Sequence, residues 1–200
     1  MKKQVVVIHG GDTFKSYKDY LAFLKSYEIE INKLKTKRWK ETLAVKLGKG
    51  FEVIYPKMPN PMNAKYKEWK IIFEKLLPFL RNNVILLGHS LGAAFLAKYL
   101  AENKFPKRIM AVFLVSAPFS GKSKKYSLAD FKPPKSLKNL EKQTNKIVIY
   151  YSKDDKVVPF SDMKKYVKAL PGAKTVIFKN RGHFNQTELP ELIKEIKRMV

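Results

Sequence analysis

A serine flanked by two glycines stands in the segment Gly88-His89-Ser90-Leu91-Gly92, a Gly-x-Ser-x-Gly pattern. A Val/Ile/Leu run precedes it and an Ala-rich segment with helical spacing follows, so Ser90 is predicted in a tight turn from a buried strand into a helix. Such a turn strains the serine backbone and presents its side chain beside the free amides of the helix N-terminus. The pattern therefore indicates a nucleophilic serine, the alternative being an ordinary helix N-cap.

A serine hydroxyl is a weak nucleophile unless a base accepts its proton. The chain has three histidines. His9 ends the first predicted strand and is explained by the His-Gly turn that follows, whereas the side chain of His89 is expected to point away from its neighbour Ser90. His183, in a loop between the last predicted strand and the last predicted helix, is therefore the candidate base.

A carboxylate is then needed to orient the imidazole and to stabilise its charged form. Two adjacent acids, Asp154 and Asp155, follow the penultimate predicted strand. Either can fill this role, and ordinary turn chemistry is the alternative reading of the pair.

Two backbone amides must stabilise the oxyanion of an acyl-transfer intermediate. The amide of Leu91, which follows the serine, is one candidate. The second is the amide of Gly11 in the turn after the first strand, with Asp12 as an alternative. Phosphate binding by this Gly-Gly turn is disfavoured because neither a G-x-G-x-x-G nor a Walker pattern is present.

Six short apolar runs, mostly continuous rather than alternating, predict strands that are covered on both faces. They are Gln4–His9, Phe51–Tyr55, Val84–Gly88, Ile109–Ser116, Ile147–Ser152 and Thr175–Lys179. Segments with helical spacing lie between several of them, including Leu91–Leu100 and Leu189–Met199, and a short helix is predicted over Thr42–Leu47. This alternation predicts an α/β fold, a mostly parallel sheet of about six strands with helices on both faces.

The composition excludes several function classes. The chain has 200 residues, 45% of them hydrophobic, so it can bury a core and is not expected to be disordered despite its net charge of +24. Without cysteine it has no disulfide, thiolate nucleophile or Cys-ligated metal, and three histidines make a His-rich metal site improbable. Lysine outnumbers arginine by 36 to 5. Because arginine is preferred for bidentate phosphate recognition, only weak, non-specific nucleic-acid binding is expected.

One domain over residues 1–200 is predicted, since neither an internal repeat nor a linker is visible. The apolar run after Met1-Lys2-Lys3 is too short for a signal peptide, and no run is long enough for a transmembrane helix. A soluble, cytoplasmic monomer or homodimer is therefore expected. Two segments interrupt the strand–helix rhythm, Ile29–Lys49 and Pro118–Lys146, and long excursions of this kind are often lids or insertions.

The chain resembles the small single-domain α/β-hydrolases, the serine hydrolases related to retinoblastoma-binding protein 9 and YdeN. The shared features are the HGG turn, YPKMPNP after the second strand, GHSLG, LVSA, DDKVVPF and GHFNQTELPELI, which together span most of the chain. The resemblance implies the chain order Ser90, Asp155, His183, because D-x-x-V-P matches the acid loop of such enzymes. It also implies hydrolysis of small esters or amides without a cofactor. Ile29–Lys49 departs from the family in being longer and more basic.

A serine hydrolase of the carboxylesterase type is therefore predicted, acting through an acyl-enzyme; thioesterase or acyltransferase activity would use the same groups. The alternative is a catalytically idle scaffold that binds protein or nucleic acid. A lipase acting at a membrane surface is disfavoured because no long apolar lid is present. Three aromatic side chains near the predicted strand ends are candidates for an acyl pocket: Phe119, Phe160 and Phe184.

The segment Pro118–Lys146 follows a strand at the predicted catalytic edge and is rich in lysine. Its lysines are Lys122, Lys124, Lys125, Lys132, Lys135, Lys138, Lys142 and Lys146. We expect this lid-like segment to overhang the site and to favour anionic or neutral substrates by electrostatic steering.

Overall fold

The computed structural model describes residues 1–120 and 127–199. Its six strands form one sheet in the order β2-β1-β3-β4-β5-β6, and every neighbouring pair is parallel. The strands are β1 (Lys3–Ile8), β2 (Phe51–Ile54), β3 (Val84–His89), β4 (Ile109–Val115), β5 (Ile147–Ser152) and β6 (Lys174–Phe178). The six predicted strands are thus confirmed to within about one residue at each end, and the sheet is parallel throughout.

Helices cover both faces of this sheet. They are α1 (Tyr17–Ser26), α2 (Ile31–Lys35), α3 (Trp39–Leu47), α4 (Tyr66–Leu76), α5 (Leu91–Glu102), α6 (Lys138–Glu141), α7 (Phe160–Ala169) and α8 (Pro190–Lys197). The core on one face is built with α4, α5, α6 and α7, and the core on the other with α3 and α8. None of the helices in the described ranges is long and apolar enough to cross a bilayer.

The central helix α5 explains why the segment after Ser90 is rich in alanine. Ten of its residues are buried, because the helix lies directly on the sheet beside β3 and β4. Small side chains allow this close approach, and Phe95 and Tyr99 fill the space toward α4. Packing of α5 against the sheet therefore also fixes the position of its first residue, Leu91, directly after Ser90.

Three helices were not anticipated from the sequence, α2, α6 and α7. In α7, two lysines separate the buried side chains Met163 and Tyr166, so few apolar residues mark the buried face of this helix. A short helix was expected over Thr42–Leu47; it begins three residues earlier, at Trp39, whose indole is buried.

Because all strands are parallel, their carboxyl ends meet at one edge of the sheet. Ser90 follows β3, Ser116 follows β4, Asp155 lies beyond β5 and His183 lies beyond β6. The turn His9-Gly10-Gly11 leaves β1 at the same edge. The topology thus brings together residues that are far apart in the sequence.

Candidate active site

Ser90 occupies the tight turn that the glycine pattern predicts. Its backbone has φ 54° and ψ −124°, a conformation that side-chain-bearing residues rarely adopt. The Ser90 amide donates to the carbonyl of Val115 at 2.9 Å, which ties the turn to the end of β4. The side chain is therefore held at the sheet edge by the turn itself.

The two flanking glycines are required because backbone passes against them. A Cβ on Gly92 would lie 2.3 Å from the carbonyl oxygen of Ile8, and one on Gly88 would lie 2.5 Å from the Cα of Ala93. Both distances are far shorter than van der Waals contact. The pattern thus reflects the close packing of β1, β3 and α5 around the serine.

Gly92→Ala is expected to lower the free energy of unfolding by about 3 kcal/mol or more, since the added methyl group meets rigid backbone rather than a movable side chain. Chemical denaturation measures this change. Gly50→Ala is the matched control, because nothing lies within 4 Å of a Cβ built on Gly50 and its φ is not positive. Equal stability of the two variants would contradict the packing described for the turn.

His183 connects Ser90 to Asp155. Its Nε2 lies 2.9 Å from the Ser90 hydroxyl, and its Nδ1 lies 2.9 Å from a carboxylate oxygen of Asp155. Since a carboxylate accepts, Nδ1 carries the proton and Nε2 is free to accept from the serine. The imidazole is 12% exposed and the Asp155 side chain is 0% exposed, so the whole chain of hydrogen bonds is shielded from water.

Asp155 is held as a carboxylate by its neighbours. Burial on its own would raise its pKa, but the His183 hydrogen bond and charge, the Ser116 hydroxyl and the Val158 amide together lower the pKa below its usual value. Its other carboxylate oxygen accepts from the amides of Val157 and Val158 at 2.8 and 3.0 Å. The side chain is therefore ionised and fixed in direction at neutral pH.

Ser116 is a site residue that the sequence reasoning missed. It is fully buried at φ 48°, its hydroxyl donates to Asp155, and the same oxygen lies 3.2 Å from His183 Nδ1. A serine following a buried strand is the only sequence signal it offers, which is weak. The hydroxyl gives Asp155 and His183 a shared neighbour that restricts the motion of both.

Asp154, the other acid considered from the sequence, does not contact the imidazole. Its exposed carboxylate accepts from the hydroxyl of Ser152 and, at 2.9 Å, from the amide of Gly182. The hydroxyl of Ser152 in turn accepts from the amide of Arg181 at 2.8 Å. Asp154 thus shapes the loop that carries His183.

The amides of Leu91 and Gly11 donate to no other backbone group in the described part of the chain. The amide of Asp12, the alternative donor to the oxyanion considered from the sequence, is not free, because it donates to the carbonyl of Pro61 at 2.8 Å. Gly11 itself admits no side chain, since a Cβ there would lie 2.6 Å from that same carbonyl oxygen. Two free amides therefore remain near Ser90.

His9 holds the Gly10–Gly11 turn in place. Its Nε2 accepts from the amide of Met58 at 2.9 Å, so its Nδ1 carries the proton that it donates to the carbonyl of Gly10 at 2.6 Å. Burial lowers the pKa of His9, in keeping with this neutral form. The sequence indicated only a turn here; the structure gives the ring two specific contacts.

His89 points away from Ser90, as expected, but it joins Lys40 to the His183 loop. Its Nε2 donates to the carbonyl of His183 at 2.8 Å, so Nδ1 is left to accept from the Lys40 amine at 3.2 Å. Complete burial keeps the pKa of His89 far below its usual value, so the ring is neutral. Nothing in the lysine-rich run around Lys40 distinguishes it from its neighbours in the sequence.

A cavity of about 650 Å³ opens at Ser90, within the range typical of small-molecule sites. Besides Ser90 and His183, its walls come from the turn after β1, from the stretch after β2 and from residues 34–41 of the segment Ile29–Lys49. The residues of that segment are Leu34, Thr36, Arg38, Lys40 and Glu41.

None of the three predicted pocket aromatics lines this cavity. Phe184 is fully buried beneath the loop, with its ring edge-on to Phe178. Phe119 packs edge-on against Tyr166 of α7, and Phe160 begins α7 and packs against the core. The prediction that these residues form an apolar pocket is therefore wrong, because each ring packs its own segment against the core.

The segment Pro118–Lys146 was expected to overhang the site. Lys122, Lys124 and Lys125 lie outside the described residues. In the rest of the segment, Leu128, Phe131 and Leu140 are buried in the core, and no described residue lines the cavity. In the described part of the chain, the basic excursion at the cavity is instead Ile29–Lys49.

Comparison with known proteins agrees with this geometry. A protein-family model described as serine hydrolase matches residues 32–195. Serine hydrolase RBBP9 from Rattus norvegicus is 29% identical over 159 residues, which are 76% of this chain and 79% of that protein. Putative hydrolase YdeN from Bacillus subtilis is 27% identical over 191 residues, 94% of this chain and 89% of YdeN.

The crystal structure of the ydeN gene product from B. subtilis superposes with a TM-score of 0.73 at 22% identity, covering 99% of this chain and 98% of that one. This agreement, with the parallel sheet described above, confirms the α/β-hydrolase fold. The matched residues 32–195 make up most of the chain and include the serine, acid and histidine positions. The chain therefore belongs to the serine hydrolase family.

Proposed function

We propose that this serine hydrolase cleaves small carboxylic esters through an acyl-enzyme, with Ser90 as nucleophile, His183 as general base and acid, and Asp155 as the group that orients His183. The observation that carries the proposal is the unbroken hydrogen-bonded chain from the Ser90 hydroxyl through both ring nitrogens of His183 to a buried carboxylate. Amides and thioesters would be attacked by the same groups.

In the first half of the reaction, Ser90 Oγ attacks the acyl carbonyl carbon while its proton passes to His183 Nε2. The carbonyl oxygen becomes an oxyanion, and the free amides of Leu91 and Gly11 donate to it. His183 then gives its proton to the departing alkoxide, which leaves as the alcohol and completes the acyl-enzyme.

In the second half, a water molecule gives a proton to His183 and attacks the acyl carbon. The second oxyanion collapses, Ser90 regains its proton from His183, and the carboxylic acid is released. Asp155 stays ionised throughout and stabilises the imidazolium that forms in both halves. These steps require no cofactor.

A fluorophosphonate probe tests the proposal, because it phosphonylates only serines that are activated as nucleophiles. Wild-type protein is expected to gain the mass of one probe less HF, since the serine oxygen displaces fluoride, and the added mass should lie on the peptide that contains Ser90. Ser161→Ala, at an exposed serine on α7, is the matched control and should label fully. Absence of labelling in folded wild-type protein would instead support the idle-scaffold alternative.

A further inference from the structure

Lys40 is a buried cation in the wall of the cavity at Ser90. It is 6% exposed, and its amine makes one hydrogen bond in the described structure, to His89 Nδ1 at 3.2 Å, and lies 5.0 Å from the centroid of the Trp39 ring. An ammonium group has three donors, so Lys40 has donors left over. Burying a charge without a counter-charge is costly, and such groups are usually paired.

Arg38 lies on the same wall and is also without an acidic partner. Its guanidinium donates to the neutral amide oxygen of Asn185 at 3.1 Å. Within residues 1–120 and 127–199, neither Arg38 nor Lys40 forms an ion pair. Two cations therefore line one wall with neutral partners only.

Two carboxylates also line the cavity, those of Glu41 and Asp12, but each interacts with groups other than the two cationic side chains of this wall. Glu41 accepts from the backbone amide of Arg38 at 2.7 Å, which caps the start of α3. Asp12 interacts electrostatically with His183, and burial raises its pKa. Among the described residues, neither forms an ion pair with the side chain of Lys40 or Arg38, so both cations keep donors for a bound ligand.

We propose that this wall binds a carboxylate that the substrate carries in addition to its scissile ester, with Lys40 and Arg38 as the recognising cations. The inference rests on the proposed ester hydrolysis at Ser90 and names its substrate class. A carboxylate would supply the counter-charge that Lys40 lacks and would accept its unused donors, in a charge-assisted hydrogen bond.

The position of Lys40 limits the length of such a substrate. The amine contacts the ring of His89, the residue directly before Ser90, and the same ring lies against Gly10 of the turn after β1. Lys40 and Ser90 line the same cavity, so a carboxylate at the amine and an ester carbonyl at the serine must both fit within its volume of about 650 Å³. Half-esters of short dicarboxylic acids, such as monomethyl glutarate, fit this arrangement.

Charge on Lys40 also makes the recognition depend on pH. Burial and the nearby Arg38 lower the pKa of Lys40 to about 7, while Glu41 opposes them. The other titratable groups facing it, His89 and His9, are neutral. Because the amine is charged below its pKa, preference for the anionic substrate is expected to be strongest below pH 7 and to weaken above it.

Two methyl esters of equal length test the proposal: monomethyl glutarate, which is anionic, and the methyl ester of glutaramic acid, which is neutral. Methanol release gives kcat/KM for each. Wild-type protein at pH 6.5 is expected to favour the anionic ester about tenfold, from one charge-assisted hydrogen bond. Equal values for the two esters would overturn the inference while leaving ester hydrolysis intact.

Three variants test whether the preference for the anionic ester comes from the charge of Lys40. Lys40→Gln keeps a donor for His89 without the charge and should bring the ratio of the two kcat/KM values close to one. Lys40→Arg should keep most of the preference, and Lys164→Gln, at an exposed lysine outside the cavity, should keep all of it. A Lys40→Gln variant that still prefers the anionic ester would refute the role of Lys40.

Binding measured without turnover separates this inference from the proposed reaction. Glutarate should raise the Tm of wild-type protein and leave that of Lys40→Gln unchanged, even if neither ester is cleaved. If the fluorophosphonate probe fails to label Ser90 but glutarate binds, the proposed ester hydrolysis is wrong and the proposed carboxylate site stands. A Tm raised by inorganic phosphate and not by glutarate would overturn the choice of carboxylate.

Discussion

Ser90→Ala is expected to reduce hydrolysis of p-nitrophenyl acetate at least 10⁴-fold, roughly the loss seen when a nucleophilic serine is removed from a triad. The substitution takes away the atom that we propose forms the acyl-enzyme, and His183 then has no hydroxyl to deprotonate. The backbone amides at Leu91 and Gly11 remain, so a small residual rate above the uncatalysed reaction is expected. Initial rates at saturating ester measure the change.

The fold should survive this substitution, because Ser90 contributes its hydroxyl to His183 and to no other described residue. Far-UV circular dichroism and the denaturation midpoint provide that control. Ser161→Ala is the matched variant, as in the labelling experiment. Wild-type turnover by folded Ser90→Ala would remove Ser90 from the mechanism and direct attention to another nucleophile in the cavity.

Local sequence signals were sufficient to predict the sheet and to place Ser90, Asp155 and His183 at one edge of it. Continuous apolar runs mark strands that are buried on both faces, and the Gly-x-Ser-x-Gly turn needs its glycines for the approach of Ile8 and Ala93, so its sequence and its geometry are closely tied. The candidate serine, acid and histidine each follow a different predicted strand, and parallel strands end at one edge of the sheet, so these residues were expected to lie close together.

The residues that the sequence did not predict depend on contacts between distant segments. Ser116 resembles any serine after a strand until β4 and β5 place it against Asp155. Lys40 resembles its lysine neighbours until α3 is fixed against the His183 loop, where the indole of Trp39 donates to the carbonyl of Phe184 at 2.8 Å. Neither residue has a local pattern that would identify it.

The aromatic pocket was mispredicted for a related reason. Proximity to a strand end says that a residue is near the site, but not which way its side chain points. Phe184 has φ 52°, and this turn of the backbone directs its ring into the core while the neighbouring His183 faces Ser90. One backbone angle thus decides between a pocket residue and a core residue.

The net charge of +24 also takes on a different meaning with the structure. Most lysines are exposed, whereas Lys40 is buried in the wall of the cavity at Ser90. A single buried cation influences a substrate more than many exposed ones, because water and salt screen the exposed charges. The proposed selectivity therefore depends on Lys40 and its neighbour Arg38 rather than on the net charge of the chain.

Asp155→Asn is expected to lower kcat for ester hydrolysis by about 10³- to 10⁴-fold, because an amide can hold the wrong tautomer of His183 and cannot stabilise the imidazolium. Asp154→Asn is the matched control one residue away. Since Asp154 contacts only the loop backbone and Ser152, its loss should be at most about tenfold. A larger loss in Asp154→Asn than in Asp155→Asn would reverse the assignment of the two acids.

The wild type and Asp155→Asn are also expected to differ in their stability toward acid. The folded state lowers the pKa of Asp155 below its ordinary value of 3.8, so the folded protein holds that proton less tightly than the unfolded chain does. The resulting stability is present above about pH 4 and is lost as the pH falls through the lowered pKa. Urea denaturation from pH 6 to pH 3 should therefore show the wild type losing stability relative to Asp155→Asn at the acid end. A constant difference across this range would mean that folding does not lower the pKa of Asp155. A wild type that instead gains stability relative to Asp155→Asn toward pH 3 would mean that Asp155 is protonated in the folded protein, and its role in stabilising the imidazolium would fall with it.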